Sequence, residues 1–239
     1  MAHMKPAVRK GGVHPITLVT SDFVTLFRSL GYAVETGPER ETEEYNFDAL
    51  NIPEHHPSRE MWDTFWLRGH EGELLRTHTS PMQVRYMQRH DPPYRVIVPG
   101  KVFRNEATDR THEVQFHQLE GFCVTENTTL ADMQQTLSFM LQQLFGNAID
   151  IRYRPSFFPF TEPSLEVDIK RPEDTDWLEI LGCGMVHRHV LSRAGVDARR
   201  YQGFAFGVGV DRIAMLRYGL DDIRLLYSGD LRVVNQFCL

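Results

Sequence analysis

Two stretches of the chain repeat apolar residues at the three-to-four spacing of a single helix face. In the first, Ile16, Val19, Phe23, Leu26, Phe27 and Leu30 recur in this way and Gly31 follows as a C-cap. In the second the pattern is Leu130, Met133, Leu137, Met140, Leu141, Leu144 and Phe145, with Thr128 or Thr129 to cap its start and Gly146 its end. Both predict amphipathic helices whose apolar stripe must cover a sheet. Shorter β-like runs supply that sheet: Arg95 to Val98, Lys101 to Arg104, Val114 to Val124, Trp177 to Leu181 and Gly203 to Val210. A further helix is expected from Asp211 to Tyr218, closed by Gly219. Asp91-Pro92-Pro93 and Arg171-Pro172-Glu173-Asp174 read as turns, strands dominate the second half, and no internal repeat or heptad pattern is present.

Composition adds bounds to this picture. The 239 residues, 41% hydrophobic and 24% charged, suit an ordinary soluble globular chain, and no apolar run approaches the roughly 20 residues of a membrane span. One domain over residues 12–239 is expected, behind a lead of residues 1–11. In that lead Met1-Ala2-His3-Met4 resembles a cloning remnant rather than a signal peptide, and Lys5, Arg9 and Lys10 make the rest basic. The expected compartment is the cytoplasm, with no membrane partner. Cys123, Cys183 and Cys238 lie far apart, without the close pairing of disulfide frameworks or zinc sites, and are expected as reduced thiols. A formal charge of -6 argues against a broad nucleic-acid surface, since counterion release needs a concentrated basic face.

Three constellations carry candidate chemistry. A period of two places Phe116, Gln118 and Glu120 on one face of a strand. On a solvent face such residues are unremarkable, but a carboxylate beside an amide is also what an ammonium group needs. Upstream, Phe103-Arg104-Asn105-Glu106 is followed by His112. Alone, Arg104 and Glu106 could be a surface pair; beside Phe116 they also offer an arginine for a phosphate and a ring for a base to stack on. In the third, Gly203-Phe204-Ala205-Phe206-Gly207-Val208-Gly209-Val210-Asp211-Arg212, one strand face is bulky and the other, Ala205, Gly207 and Gly209, is nearly bare. A bare face admits either another protein element or a ligand close to the backbone. Arg212 falls in a helical first turn, which favours anions.

These patterns resemble the motifs of class II aminoacyl-tRNA synthetases. Phe103-Arg104-x-Glu106 with His112-x-x-x-Phe116 is similar to motif 2, and Gly207-x-Gly209-x-Asp211-Arg212 to motif 3. Gly31-Tyr32-Ala33-Val34 with Pro38 is similar, more faintly, to motif 1. Further strings narrow the likeness: Asn46 to Asn51, His55-His56-Pro57, Leu75 to Ser80, Phe116 to Gly121, Phe158-Pro159-Phe160-Thr161-Glu162-Pro163, and Gly203 to Gly207. In order and spacing they resemble the bacterial phenylalanyl-tRNA synthetase alpha subunit from about Gly12 to Phe237.

The resemblance implies an α+β fold, an antiparallel sheet flanked by helices. It implies activation of L-phenylalanine by ATP with Mg2+, then transfer to phenylalanine tRNA with a beta subunit, in an assembly of two alpha and two beta chains. His78, Ser80, Gln83, Gln118 and Glu120 would surround the amino and carboxylate groups. Phe158 and Phe160, two apart on one strand face, would meet the substrate ring, with Ala205 as the floor and Gly207 beside it. Arg104 and Arg212 would be catalytic, binding ATP together with Glu106, His112 and Phe116. Glu162 or Glu179 would help hold magnesium. Two departures stand out: Asp211 where motif 3 usually has Glu, and Arg188 where proline is usual. The chain begins where the family's N-terminal coiled coil should end, implying a fragment or a natural short paralog. Competing readings are a paralog that passes an activated amino acid to another acceptor, an inactive binding module and, more weakly, a metal hydrolase built on His187-x-His189.

Overall fold

Nine strands make up two sheets in a computed structural model that describes residues 12–54 and 64–237. The lead, the His55-His56-Pro57 string and Cys238 lie outside the described residues. The strands are β1 (Ala33–Val34), β2 (Arg40–Thr42), β3 (Glu73–Leu75), β4 (Tyr94–Phe103), β5 (Gln115–Thr125), β6 (Asp150–Phe158), β7 (Thr161–Lys170), β8 (Leu178–Val186) and β9 (Gln202–Gly209). The main sheet runs β1-β4-β5-β9-β8-β7-β6, and β2 pairs with β3 separately. Every pairing is antiparallel except β1 with β4. The expected antiparallel sheet with helices is therefore present.

The two periodic helices form where predicted, at Pro15–Ser29 and Leu130–Phe145. Gly31 follows the first with φ +79, a left-handed conformation that costs glycine little. Thr129, not Thr128, caps the second: its side chain accepts from the Asp132 amide while Asp132 reaches back to Thr129, a reciprocal capping box. With the helix Val210–Tyr218 they cover one face of the sheet, where Phe23, Phe27, Leu137, Met140, Phe204 and Phe206 are buried. The other face is half covered. Helices Pro81–Met87 and Arg188–Arg193 pack there with Phe47, Leu50, Phe122 and Ala205, and the rest of that face stays open.

Several strands are longer than their sequence pattern suggests. The runs at Arg95 and Lys101 are one strand, β4, despite Pro99 and Gly100 between them. β1 pairs only with Val96 and Ile97, so beyond them β4 has no strand partner on that side, where proline is tolerated. β8 continues past Leu181 through Gly182 and Gly184. A Cβ on Gly182 would meet the Phe158 ring at 2.7 Å, and one on Gly184 the Pro163 carbonyl at 2.5 Å. β6 and β7, which the runs named above do not include, alternate in the same way: Ile151, Tyr153, Leu165, Val167 and Ile169 pack in or against the core, and charge links the opposite face. Arg152 and Arg154 on β6 both donate to buried Asp168 on β7, at 2.6–2.9 Å.

Candidate active site

The open half of that second face is a cleft of about 720 Å³. It forms because Arg76 to Ser80 leave β3 and cross the sheet before the helix Pro81–Met87 begins. Asn46 holds this segment by a paired contact with Thr77, donating to its hydroxyl at 2.9 Å and accepting from its amide at 3.2 Å. Arg76 wedges it against β4: its Nε donates to the Lys101 carbonyl at 2.7 Å, and its guanidinium fills the space a Cβ on Gly100 would need.

At the bottom lies Glu120, 2% exposed. Ser80 Oγ donates to one carboxylate oxygen at 3.0 Å and Gln83 Nε2 to the other. Burial pushes this carboxyl up to about 7, against the lowering effect of those two donors. Gln118 stands two residues away on β5, its Oε1 accepting from the Thr79 amide at 3.3 Å. The bare face of β9 has a specific use here. Gly207 pairs with Glu120, and a Cβ on it would lie 2.6 Å from Gln118 Nε2 and 3.3 Å from Glu120 Oε2. His78 is buried in the same wall, and burial, Arg104 and Arg76 together push its imidazole down to about 3. It is neutral at any working pH, a hydrogen-bonding group rather than a general acid.

Phe158 and Phe160 form the aromatic wall, with ring centroids 6.0 Å apart and planes 17° apart. They do not share a strand face, as their spacing suggested: β6 ends at Phe158 and Phe160 sits in the turn that follows. Asn51, in a left-handed conformation with φ 62, fixes that turn by donating to the Pro159 carbonyl at 2.7 Å. Ala205, 2% exposed, closes the floor.

Arg104 lines the upper part of the cleft, its guanidinium 5.1 Å from the centroid of the Phe116 ring and its Nε 3.3 Å from the Thr77 carbonyl. Glu106 is half-buried nearby, and its charge raises the Arg104 guanidinium against the larger lowering effect of burial. Arg212 lies outside the cleft lining, in the first turn after β9, with no hydrogen bond or ion pair from its side chain among the described residues. His112 is exposed in a loop and bonded at 3.0 Å to Asp109, away from the cleft. Glu179 lines the cleft, whereas Glu162 is 79% exposed beside His187. The register pairs Thr161 with Val186 and Asp168 with Glu179, so the two glutamates lie roughly 20 Å apart along the strands and cannot share one ion. Glu166, which the sequence did not single out, does lie with Glu179: both line the cleft, and Arg154 Nη2 contacts them at 2.9 and 3.3 Å. Among the described residues no three His, Cys, Asp or Glu side chains gather as a metal-ligand group, which leaves the His187-x-His189 reading without a third ligand.

The site is thus a cleft on one face of an antiparallel sheet, with a buried carboxylate at its base and Arg104 toward one end. The family described as the tRNA synthetases class II core domain (F) matches residues 1–237, and the chain belongs to it. Within that family it is 52% identical over 229 residues to the phenylalanine–tRNA ligase alpha subunit of Psychrobacter arcticus, covering 96% of this chain and 64% of the relative. The alpha subunits of Thiobacillus denitrificans and Bacillus subtilis are 52% and 49% identical, covering 95% and 96% of this chain and 70% of each relative. The chain thus spans about two thirds of the length of the curated relatives it matches.

Proposed function

We propose that residues 12–239 are one catalytic domain that activates L-phenylalanine with ATP to phenylalanyl-adenylate. With a beta subunit, in the two-alpha, two-beta assembly the resemblance implies, it then passes the phenylalanyl group to phenylalanine tRNA in the cytoplasm. The observation that carries this reading is the juxtaposition of Glu120 at the base of an aromatic-walled cleft with Arg104 toward its other end. Glu120 and Gln118 take the substrate ammonium, one supplying charge and the other direction. Phe158 and Phe160 flank the ring over Ala205, and neutral His78 with Ser80 and Gln83 completes the polar end. This leaves the substrate carboxylate facing Arg104.

The carboxylate is ionised at neutral pH and attacks the α-phosphorus of ATP, expelling pyrophosphate. No general base is needed. Rate enhancement rests on alignment and on charge stabilisation by Arg104 and Arg212, with adenine stacked on Phe116 and contacted by Glu106. His112 reaches the phosphates in this scheme once its side chain leaves Asp109. A magnesium ion beside phosphates needs one or two protein carboxylates, and Glu166 and Glu179 on the cleft wall would supply them once Arg154, which contacts both, turns away. Bound there, it would neutralise phosphate charge. Glu162 has no part in that site.

Amino-acid-dependent exchange of pyrophosphate into ATP, run on the chain alone and with a beta subunit, tests the reading. Phenylalanine-specific exchange is expected, and its absence in both settings refutes it. Charging of phenylalanine tRNA only in the presence of the beta subunit separates an alpha subunit from a stand-alone activating enzyme.

A further inference from the structure

β9 ends at Gly209, where the chain turns into the helix Val210–Tyr218, and the last pair it makes with β5 is Gly209 with Gln118. The next residue of β5, His117, therefore has no β9 residue opposite it. Its amide donates instead to Asp211 Oδ2, at 2.6 Å. Asp211 is 2% exposed, and its other oxygen accepts from the Tyr227 hydroxyl. That hydroxyl has one proton, which goes to Asp211, so in its 3.0 Å contact with His117 Nδ1 the phenol oxygen accepts. His117 is thereby held as the Nδ1–H tautomer and bonds into the network through both backbone and ring. The two rings also stack, with centroids 6.3 Å apart and planes 10° apart. Burial and the Lys101 charge lower the imidazole to about 4, so at neutral pH it is uncharged.

Each end of this network adjoins a residue of the proposed site. Asp211 immediately precedes Arg212, and His117 immediately precedes Gln118. We infer that Asp211, clamped by Tyr227 and the His117 amide, is a positioning residue that locks the phosphate-side Arg212 and the ammonium-side Gln118 into one rigid unit. The inference deepens the proposed function and rests on that reading. The shorter carboxylate at the motif 3 position is then no loss of reach toward a ligand. It faces inward, and Tyr227 completes it.

The test uses the full chain carrying Asp211→Asn, Tyr227→Phe or both, with Asp211→Ala as a harsher variant. Hydrogen exchange at the His117 amide should accelerate in each, while the amides of β4 and β8 keep their protection. In pyrophosphate exchange the turnover should fall tenfold or more, since misplacement of about 1 Å can cost a hundredfold. KM for phenylalanine should rise several-fold, because Gln118 loses the anchor beside it while Glu120 keeps its own partners, and the double variant should be no worse than Asp211→Asn alone, as expected of groups acting in series. Unchanged turnover with an unprotected His117 amide would overturn the inference. So would a loss of rate matched by loss of folded protein. Should the wild-type chain show no phenylalanine-dependent exchange, the proposed function fails separately and ATP titration calorimetry decides the clamp. Weaker ATP binding by Asp211→Asn than by wild type then upholds it, and equal or absent binding overturns it.

Discussion

Replacing Glu120 by glutamine separates what this carboxylate does for stability from what it does for binding. The carboxyl is carried from its ordinary 4.5 to about 7 by burial, which disfavours its ionised form by on the order of 3 kcal/mol. A raised acid binds a proton more tightly in the folded than in the unfolded state. Its contribution to stability is therefore fully present below pH 4.5 and is lost as the pH rises to about 7. Glutamine has no such loss, and the cleft can accommodate it. Gln83 Oε1 is buried without a hydrogen-bond partner, so turning the Gln83 amide would let that oxygen accept from the new amide. Glu120→Gln should therefore melt several degrees above wild type at pH 8, at roughly 2–4 °C per kcal/mol for a chain of this size, and near it at pH 4.5. Binding should move the other way. A hydrogen bond to a charged group contributes about 1.5–3 kcal/mol, so phenylalanine affinity should fall about 10- to 150-fold at pH 8. Wild-type affinity should also decline below pH 7 as Glu120 takes up a proton, and the variant should lack that dependence. Calorimetric melting and phenylalanine titration across pH 4.5–8 read both effects. A melting difference that ignores pH, or phenylalanine binding by the variant within threefold of wild type, would refute the assignment of Glu120 as the ammonium partner.

Three further outcomes follow from the same geometry. Ala205→Gly, which removes one methyl group, should admit para-substituted phenylalanines in pyrophosphate exchange and Ala205→Val, which adds two, should reject phenylalanine, since each methyl group in a hydrophobic pocket discriminates by about 1–3 kcal/mol. Glu179→Gln should raise the magnesium concentration needed for half-maximal exchange, whereas Glu162→Gln, far along the strand, should not. Gly100→Ala should lower the melting temperature by several degrees, because the new methyl group occupies the place of the Arg76 guanidinium and displaces the segment that carries His78 and Ser80.

Much of the site was legible because its residues sit at fixed offsets within single strands. Gln118 and Glu120 share a face because a strand alternates, and the glycines of β9 announce a close approach because nothing else leaves one face bare. The residues that sequence reading missed act across strands. Arg154 gathers Glu166, Asp168 and Glu179 from two neighbouring strands, and Asn51 fixes a turn 108 residues away. No local spacing encodes such contacts.

By itself the sequence determined the two amphipathic helices and the glycines that close them, the paired polar positions of β5 and the order of the motifs, because periodicity and capping are properties of neighbours along a chain. The tertiary structure alone decided that Glu162 and Glu179 lie at opposite ends of a strand pair, that Phe160 leaves its strand and that His112 is engaged with Asp109. It also placed the short side chain of Asp211, a departure in the sequence, on the His117 amide just past the last β5–β9 pair. Register and strand order bring together residues that have no relation along the chain, and burial then sets the charge state of whatever they enclose.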